Sequence, residues 1–258
     1  MQTVISFVSQ KGGVGKTTSA VNLSVALAFG NYRVLLIDLD PQSSVRYSFG
    51  IEQTKAGTKE LFLTPNVRLK DLILRTQEHE NLDFILSNIV NLSEEKAIHA
   101  KLADYQVLEN ILATQKSSYD FVIVDAPSST NNLAINALVA ADLILLPLQC
   151  ENLAIKSLKR FLTSFHELQT LVTKKELRVA GILLTRFNKS SEVHQKIASQ
   201  LYQSLSDAVL QSIIPEAEEI VEASALGQSV LKYSFHSVGA TAYIRLMREL
   251  IHKFNLDV

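Results

Sequence analysis

Lys11-Gly-Gly-Val-Gly-Lys-Thr-Thr18 carries three of the nine glycines in this 258-residue chain, and its reading decides the fold. Glycine makes up about 3.5% of the sequence, against a usual ~7%, so the concentration at Gly12, Gly13 and Gly15 asks for a local cause. The stretch follows an apolar run, Thr3 to Val8, and opens a helical pattern, Thr17 to Phe29, that stops at Gly30. In a strand-loop-helix setting, a glycine loop turns backbone N–H groups inward around phosphate oxygens at a helix N-terminus. Without Cβ atoms the loop can take positive φ and approach a pyrophosphate closely. On this reading Gly12, Gly13, Val14 and Gly15 line the phosphates. Lys16 reaches the β- and γ-phosphates, Thr17 ligates Mg²⁺ through its hydroxyl, and Thr18 hydrogen-bonds the α-phosphate.

Outward from the loop, short β-branched runs alternate with longer helical patterns, the sequence form of repeated β-α units. The expected strands are Thr3 to Val8, Arg33 to Ile37, Leu82 to Leu86, Phe121 to Val124, Leu143 to Pro147, Val179 to Leu184 and Val209 to Ile214. Several are continuous apolar runs, as expected of a parallel sheet buried on both faces. A second long helix is expected over Ser93 to Gln115, with Glu94 and Glu95 in its first turn. The segment Ile51 to Glu80 shows the weakest pattern and reads as a mobile insertion. No repeat, low-complexity tract or Pro/Gly/Ser linker divides residues 1–258, which therefore read as one domain. The expected fold class is α/β: a single-domain P-loop NTPase with a mostly parallel sheet covered by helices on both faces.

Asp38-Leu-Asp40-Pro follows the second expected strand. Strand alternation sends the two aspartates one way and Leu39 the other. Two acids at one strand end are costly without a cation. Mg²⁺ suits them because it keeps most of its water shell and takes one or two carboxylates plus phosphate oxygens. A third acid, Asp125, ends Phe121-Val-Ile-Val124 and precedes Ala126-Pro127.

The loop departs from the general G-x-x-x-x-G-K-[ST] pattern, with Gln10 where the first glycine would stand and a lysine, Lys11, next to it. That arrangement resembles the deviant Walker A motif of the ParA/MinD family of ATPases. Asp120-Phe-Val-Ile-Val-Asp-Ala-Pro127, Asn136-Ala-Leu with Ala141-Asp142, and Pro147-Leu-Gln-Cys-Glu151 resemble consecutive blocks of its ParA branch. Ile214-Pro215, Gly227-Gln-Ser-Val230 and Gly239-Ala-Thr-Ala-Tyr243 follow in the same order. The resemblance implies that Lys11 enters the nucleotide site of a partner subunit, coupling catalysis to dimerisation in the manner of an arginine finger. It implies that Asp38 supports the magnesium shell, Asp40 positions the attacking water and Asp125 contacts Mg²⁺ through water. Asn188 and Pro215 become the adenine contacts. The catalytic set is then Lys11, Lys16 and Asp40, and the metal set Thr17, Asp38 and Asp125. The implied activity is slow, Mg-dependent ATP hydrolysis in an ATP-dependent homodimer that binds DNA non-specifically and answers to a ParB-like activator.

The rest of the sequence narrows this further. Twenty-five Lys plus Arg against 26 Asp plus Glu give a net charge of −1, so DNA binding would need a local basic patch. Its expected members are Arg186, Lys189, Lys196, Lys232, Arg245 and Arg248. Against it, Glu216-Ala-Glu-Glu219 with Glu222 stands where ParA relatives commonly carry arginines. That departure motivates an alternative: a ParA-like positioning ATPase whose cargo is a protein, docked on an acidic loop from Glu216 to Glu222. A metabolic ligase or kinase of the same fold is a third reading. A lone cysteine, Cys150, excludes an intrachain disulfide framework and reads as a small buried residue. Six histidines occur without ligand spacing, which argues against a transition-metal site. No run reaches the ~18 apolar residues of a membrane span, and no basic n-region precedes the first apolar run. The amphipathic stretch Tyr243 to Phe254 is expected to pack on its own domain, with no anchor after it, and Lys11 stands too near the start for a DNA-reading extension. The expected location is cytoplasmic, on the nucleoid in the ATP state.

Overall fold

The structure, a computed structural model, describes residues 2–114, 119–172 and 177–256. In chain order the elements are β1 (Thr3–Phe7), α1 (Lys16–Phe29), β2 (Val34–Asp38), α2 (Ser44–Ser48), α3 (Thr58–Leu63), β3 (Leu74–Arg75), β4 (Leu82–Ile85), α4 (Leu92–Lys101) and α5 (Val107–Thr114). There follow β5 (Phe121–Asp125), α6 (Asn132–Ala140), β6 (Leu143–Gln149), α7 (Ala154–Val172), β7 (Val179–Phe187), α8 (Glu192–Leu205), β8 (Val209–Pro215), α9 (Glu218–Ala225), α10 (Val230–Tyr233) and α11 (Val238–Phe254). The eight strands form one sheet in the order β3-β4-β2-β5-β1-β6-β7-β8. Only the edge pair β3–β4 is antiparallel among the described strands. All seven expected strands are present, and β3 is an addition.

Residue parity sorts each central strand into two apolar layers. Leu35, Ile37 and Leu39 of the β2 region and Val122, Val124 and Ala126 of the β5 region face one layer. Val34 and Leu36, and Phe121 and Ile123, face the other, which α1 and α11 cover. Asp38, Asp40 and Asp125 continue this second parity and so leave the sheet on the α1 side, while Leu39 is fully buried on the opposite side. Register brings them level, since Phe7 pairs with Asp125 and Asp125 with Asp38. The phosphate-loop candidate and two acids therefore emerge side by side at the carboxyl ends of β1, β5 and β2, the crevice where open α/β sheets take ligands.

Two expectations give way. The helix expected over Ser93 to Gln115 is two helices, α4 and α5, and Gln115 itself lies outside the described residues. The break is held from a third helix: buried Asn136 of α6 donates to the Leu102 carbonyl and accepts the Leu108 N–H. One side chain thus satisfies the end of α4 and the start of α5. Ile51 to Glu80 is no loose insertion either. Leu61, Phe62, Leu69 and Leu72 are buried in the core layer, and the buried Thr58 hydroxyl donates to the Asp38 carbonyl at 2.5 Å. The segment anchors the strand end that carries Asp38. At the end of α1, it is Asn31, with φ 71, that takes the left-handed turn, while Gly30 stays at φ −75.

Gly227 shows why glycine was kept at a second site. It has φ +67, and a Cβ there would lie 2.8 Å from the Gly50 backbone, so the turns after α2 and α9 touch main chain to main chain. Gly227→Ala is expected to cost about 2 kcal/mol of stability through strain and displacement of that contact, read from urea denaturation midpoints. An unchanged midpoint would mean that the two turns can separate freely.

Candidate nucleotide and magnesium site

A cavity of about 960 Å³ opens above the carboxyl ends of β1, β2 and β5. Gly12, Gly13, Gly15, Lys16, Thr17 and Thr18 line it from one side and Asp40 from another. Gly13 and Gly15 have φ +78 and +79, and a Cβ at Gly12 or Gly13 would point into open space. The two left-handed residues curl the backbone into a concave anion nest at the N-terminus of α1. Val14, the one non-glycine between them, is buried at 2% exposure.

Lys16 is buried at 5% exposure, with Nζ 3.1 Å from Asp125 and 3.8 Å from Asp40. The Thr17 hydroxyl donates to Asp125 at 2.6 Å, and the Asp40 N–H donates to Asp38 Oδ1 at 2.9 Å. One ammonium therefore faces three carboxylates. The deficit marks the acids: Asp38 is held well above the usual carboxylate range, first by burial and then by the charge of Asp125. Asp125 is raised too, by burial acting against the pull of Lys16. Asp38 Oδ2 is buried without a hydrogen-bond partner, a costly state for an ionised oxygen.

These features fit a bound Mg²⁺ with phosphate. The glycine cradle, Lys16 and Asp40 line the cavity, and the orphan oxygen lies buried beneath it on Asp38, whose Oδ1 accepts the Asp40 N–H. Among the described residues no three His, Cys, Asp or Glu side chains converge as direct ligands of one ion. An ion here would fill most of its shell with water and phosphate oxygens, as Mg²⁺ prefers.

On the far wall the structure separates the two adenine candidates. Pro215 lines the cavity together with Arg186, Glu216 and Ala217. Asn188 does not line the cavity itself: its side chain accepts the Ser190 N–H at 2.8 Å and its amide reaches Glu216 of that wall at 3.5 Å. Sequence reading missed Arg186, Gln42, Tyr47, Glu95 and Ser129, which also line the cavity. Gln42 was within reach, two residues past Asp40. Glu95 comes from α4, far along the chain, and no motif announces it.

Lys11 sits outside this cavity. Its Nζ pairs with Glu151 at 2.8 Å, with both side chains about half exposed at 49% and 40%, beside a second groove of about 440 Å³. Cys150 is buried, and burial pushes its thiol up to about 11. Of the basic residues considered for DNA, Lys232 is paired with Glu78 at 3.4 Å and Arg186 belongs to the cavity wall. Lys189, Lys196, Arg245 and Arg248 are exposed.

A family model described as an AAA domain matches residues 2–179. The chain is 33% identical over 253 residues to the sporulation initiation inhibitor protein Soj of Bacillus subtilis, covering 97% of this chain and 98% of Soj. It is 34% identical over 257 residues to the chromosome partitioning protein ParA of Caulobacter vibrioides, covering 97% and 94%. The chain belongs to the ParA/MinD family of P-loop ATPases. Solved structures agree on the fold. Cobyrinic acid a,c-diamide synthase of Mycobacterium smegmatis, with bound ATP analog and magnesium, matches with a TM-score of 0.82 and 27% identity over 99% of this chain and 96% of that one. The septum site-determining protein MinD of Pyrococcus horikoshii, complexed with Mg-ADP, matches with a TM-score of 0.79 and 28% identity over 97% and 96%.

Within the ParA/MinD family frame, the acidic departure takes a different form from the expected loop. Glu218 to Glu222 lie in helix α9, and two of these glutamates already serve the fold. Glu219 accepts the Gly239 N–H at 3.1 Å, and Glu222 accepts the Tyr233 hydroxyl at 2.9 Å. Glu216 and Glu218 are exposed. No helix among the described residues is long and apolar enough to cross a membrane.

Proposed function

We propose that the chain is a Mg-dependent switch ATPase of plasmid or chromosome partitioning. ATP and Mg²⁺ hold two copies face to face, the dimer binds DNA non-specifically, and hydrolysis to ADP and phosphate releases it. The observation that carries this reading is buried Lys16 at the glycine cradle, ringed by Asp38, Asp40 and Asp125 with an unpartnered carboxylate oxygen.

In this mechanism the loop N–H groups and Lys16 hold the phosphates in place. Thr17, Asp38 and Asp125 would hold Mg²⁺, largely through water, and the ion would supply charge to offset the phosphates; Asp40 orients water toward the γ-phosphate. Arg186 and Pro215 flank the base. Lys11, half exposed beside the second groove, crosses to the partner's nucleotide once it leaves Glu151. A site without an optimally placed finger turns over on the order of 10⁻⁴ to 10⁻² s⁻¹, so a ParB-like activator sets the timing. The location that follows is cytoplasmic, on the nucleoid in the ATP state.

The test is ATP-dependent dimerisation by light scattering, then binding to random-sequence duplex DNA with ATP and with ADP across a salt titration. The wild type is expected to dimerise and bind DNA only with ATP, with affinity falling steeply as salt rises because phosphate contacts release counterions. Lys11→Ala is expected to bind nucleotide and remain monomeric; a stable ATP dimer of that variant removes the trans role of Lys11. A wild-type ATP dimer that ignores DNA would turn the search to a protein cargo, with exposed Glu216 and Glu218 as the first docking residues to reverse. Turnover that needs a small-molecule co-substrate in a monomer would place the chain with the synthase instead.

A further inference from the structure

We propose that Thr185, at the end of β7, is a positioning residue that holds the phosphate loop in its binding conformation. The inference rests on the reading that this cavity takes a nucleoside di- or triphosphate.

Thr185 is 1% exposed, and its hydroxyl donates to the carbonyl of Val14 at 2.7 Å, across 171 positions of sequence. A Cβ at Gly15 would lie 3.7 Å from the Thr185 Cβ, so the threonine packs directly behind the loop. The peptide unit joining Val14 to Gly15 is trans and planar, with its C=O and N–H pointing in opposite directions. Thr185 lines the cavity beside Gly15, and holding the Val14 carbonyl on its hydroxyl fixes the Gly15 N–H in the opposite direction, so the orientation of this loop peptide is set by Thr185.

The loop needs such an anchor. An anion nest works only while its N–H groups converge, and its carbonyls must then find partners elsewhere. Gly15 adopts positive φ here but is free to adopt negative φ, so the Val14–Gly15 peptide can flip at little conformational cost. A flip would present a carbonyl to the phosphates in place of a donor. The Thr185 hydroxyl opposes it, because a flip would strip a buried carbonyl of its partner. Two residues further along β7, the Phe187 carbonyl accepts the Glu216 N–H at 3.1 Å beside the pairing of Phe187 with Pro215 of β8. The same strand end thus sets the phosphate loop and the opposite wall.

The experiment uses the full chain and Mg·ADP, with binding followed by titration calorimetry and the β-phosphate resonance of bound ADP by phosphorus NMR. Thr185→Val keeps the shape and loses the hydroxyl; Thr185→Ser keeps the hydroxyl. Thr185→Val is expected to weaken Mg·ADP about tenfold or more and to shift the β-phosphate resonance. Thr185→Ser should stay within about threefold of wild type. For ATP turnover, KM should rise while kcat at saturation holds within about threefold. Thr185→Ala gives the same comparison with the packing relaxed, should the valine fold poorly. Equal Mg·ADP affinity in wild type, Thr185→Val and Thr185→Ala overturns the inference, even if those variants melt earlier. A wild type that binds no Mg·ADP removes the nucleotide reading and this inference with it.

Discussion

Asp40→Ala is expected to lower ATP turnover at least about 10²-fold, the scale of a lost acid-base or water-orienting group, while Mg·ADP affinity stays within about threefold. The split follows from where Asp40 sits. It lines the cavity mouth with Oδ2 3.8 Å from Lys16, farther than Asp125 at 3.1 Å, so Lys16 keeps its nearer partner when Asp40 is removed. The carboxylate is held by a turn of its own, accepting the Gln42 N–H at 3.0 Å. It stands at 13% side-chain exposure, open enough for water to reach it. Its loss removes the group that can align water but leaves the cradle, Lys16 and Thr17 untouched. The variant should accumulate as the ATP-bound dimer, visible as a persistent high-mass species in light scattering that the wild type shows only transiently. Single-turnover hydrolysis at the parental rate would remove the assigned role from Asp40.

The parts of this site readable in the sequence are those fixed by local rules. Parity along β2 and β5 sends Asp38, Asp40 and Asp125 to the α1 side, and a glycine loop between strand and helix can do little else than curl its N–H groups inward. What escaped reading depends on contacts between distant segments. The α4–α5 break is set by Asn136 on another helix, and the order of Ile51 to Glu80 by Thr58 reaching the Asp38 carbonyl. Asn188 is an adenine contact implied by the resemblance, which places one after the strand that contains Leu183. Arg186, with φ 49, sits at an irregularity in β7 where the pairing with β8 shifts register, and it lines the cavity while Asn188 does not. A backbone angle of that kind leaves no periodic trace in the residues around it. The resemblance supplied roles for the aspartates, whereas the orphan oxygen on Asp38 and the pairing of Lys11 with Glu151 needed coordinates.

Asp38→Asn should invert the usual expectation that removing a site residue only damages the protein. In the folded chain without ligand, burial and the neighbouring Asp125 charge hold the Asp38 carboxyl well above its ordinary range. In the unfolded chain it titrates near the free value, ~3.9. Between that pH and the raised folded value the native state binds more protons than the unfolded one, so stability falls as pH climbs through the window. Above the folded value the full penalty of a buried, poorly compensated carboxylate is present. Asparagine is neutral at every pH and can still accept the Asp40 N–H through its Oδ1. The ligand-free variant should therefore melt a few degrees above wild type at pH 7, where ~1 kcal/mol corresponds to about 2–4 °C for a domain of this size. The gap should shrink toward pH 4. Asp125 remains in both proteins but loses a neighbouring charge in the variant, so the difference between the curves reports the coupled Asp38–Asp125 pair. Mg·ATP should reverse the order, because a divalent ion gives the wild-type carboxylate its counter-charge and leaves the amide without one. Calorimetric melting curves from pH 4 to pH 8, with and without Mg·ATP, decide it. Parallel curves that Mg²⁺ shifts equally would mean that the orphan oxygen of Asp38 neither destabilises the empty site nor meets the ion.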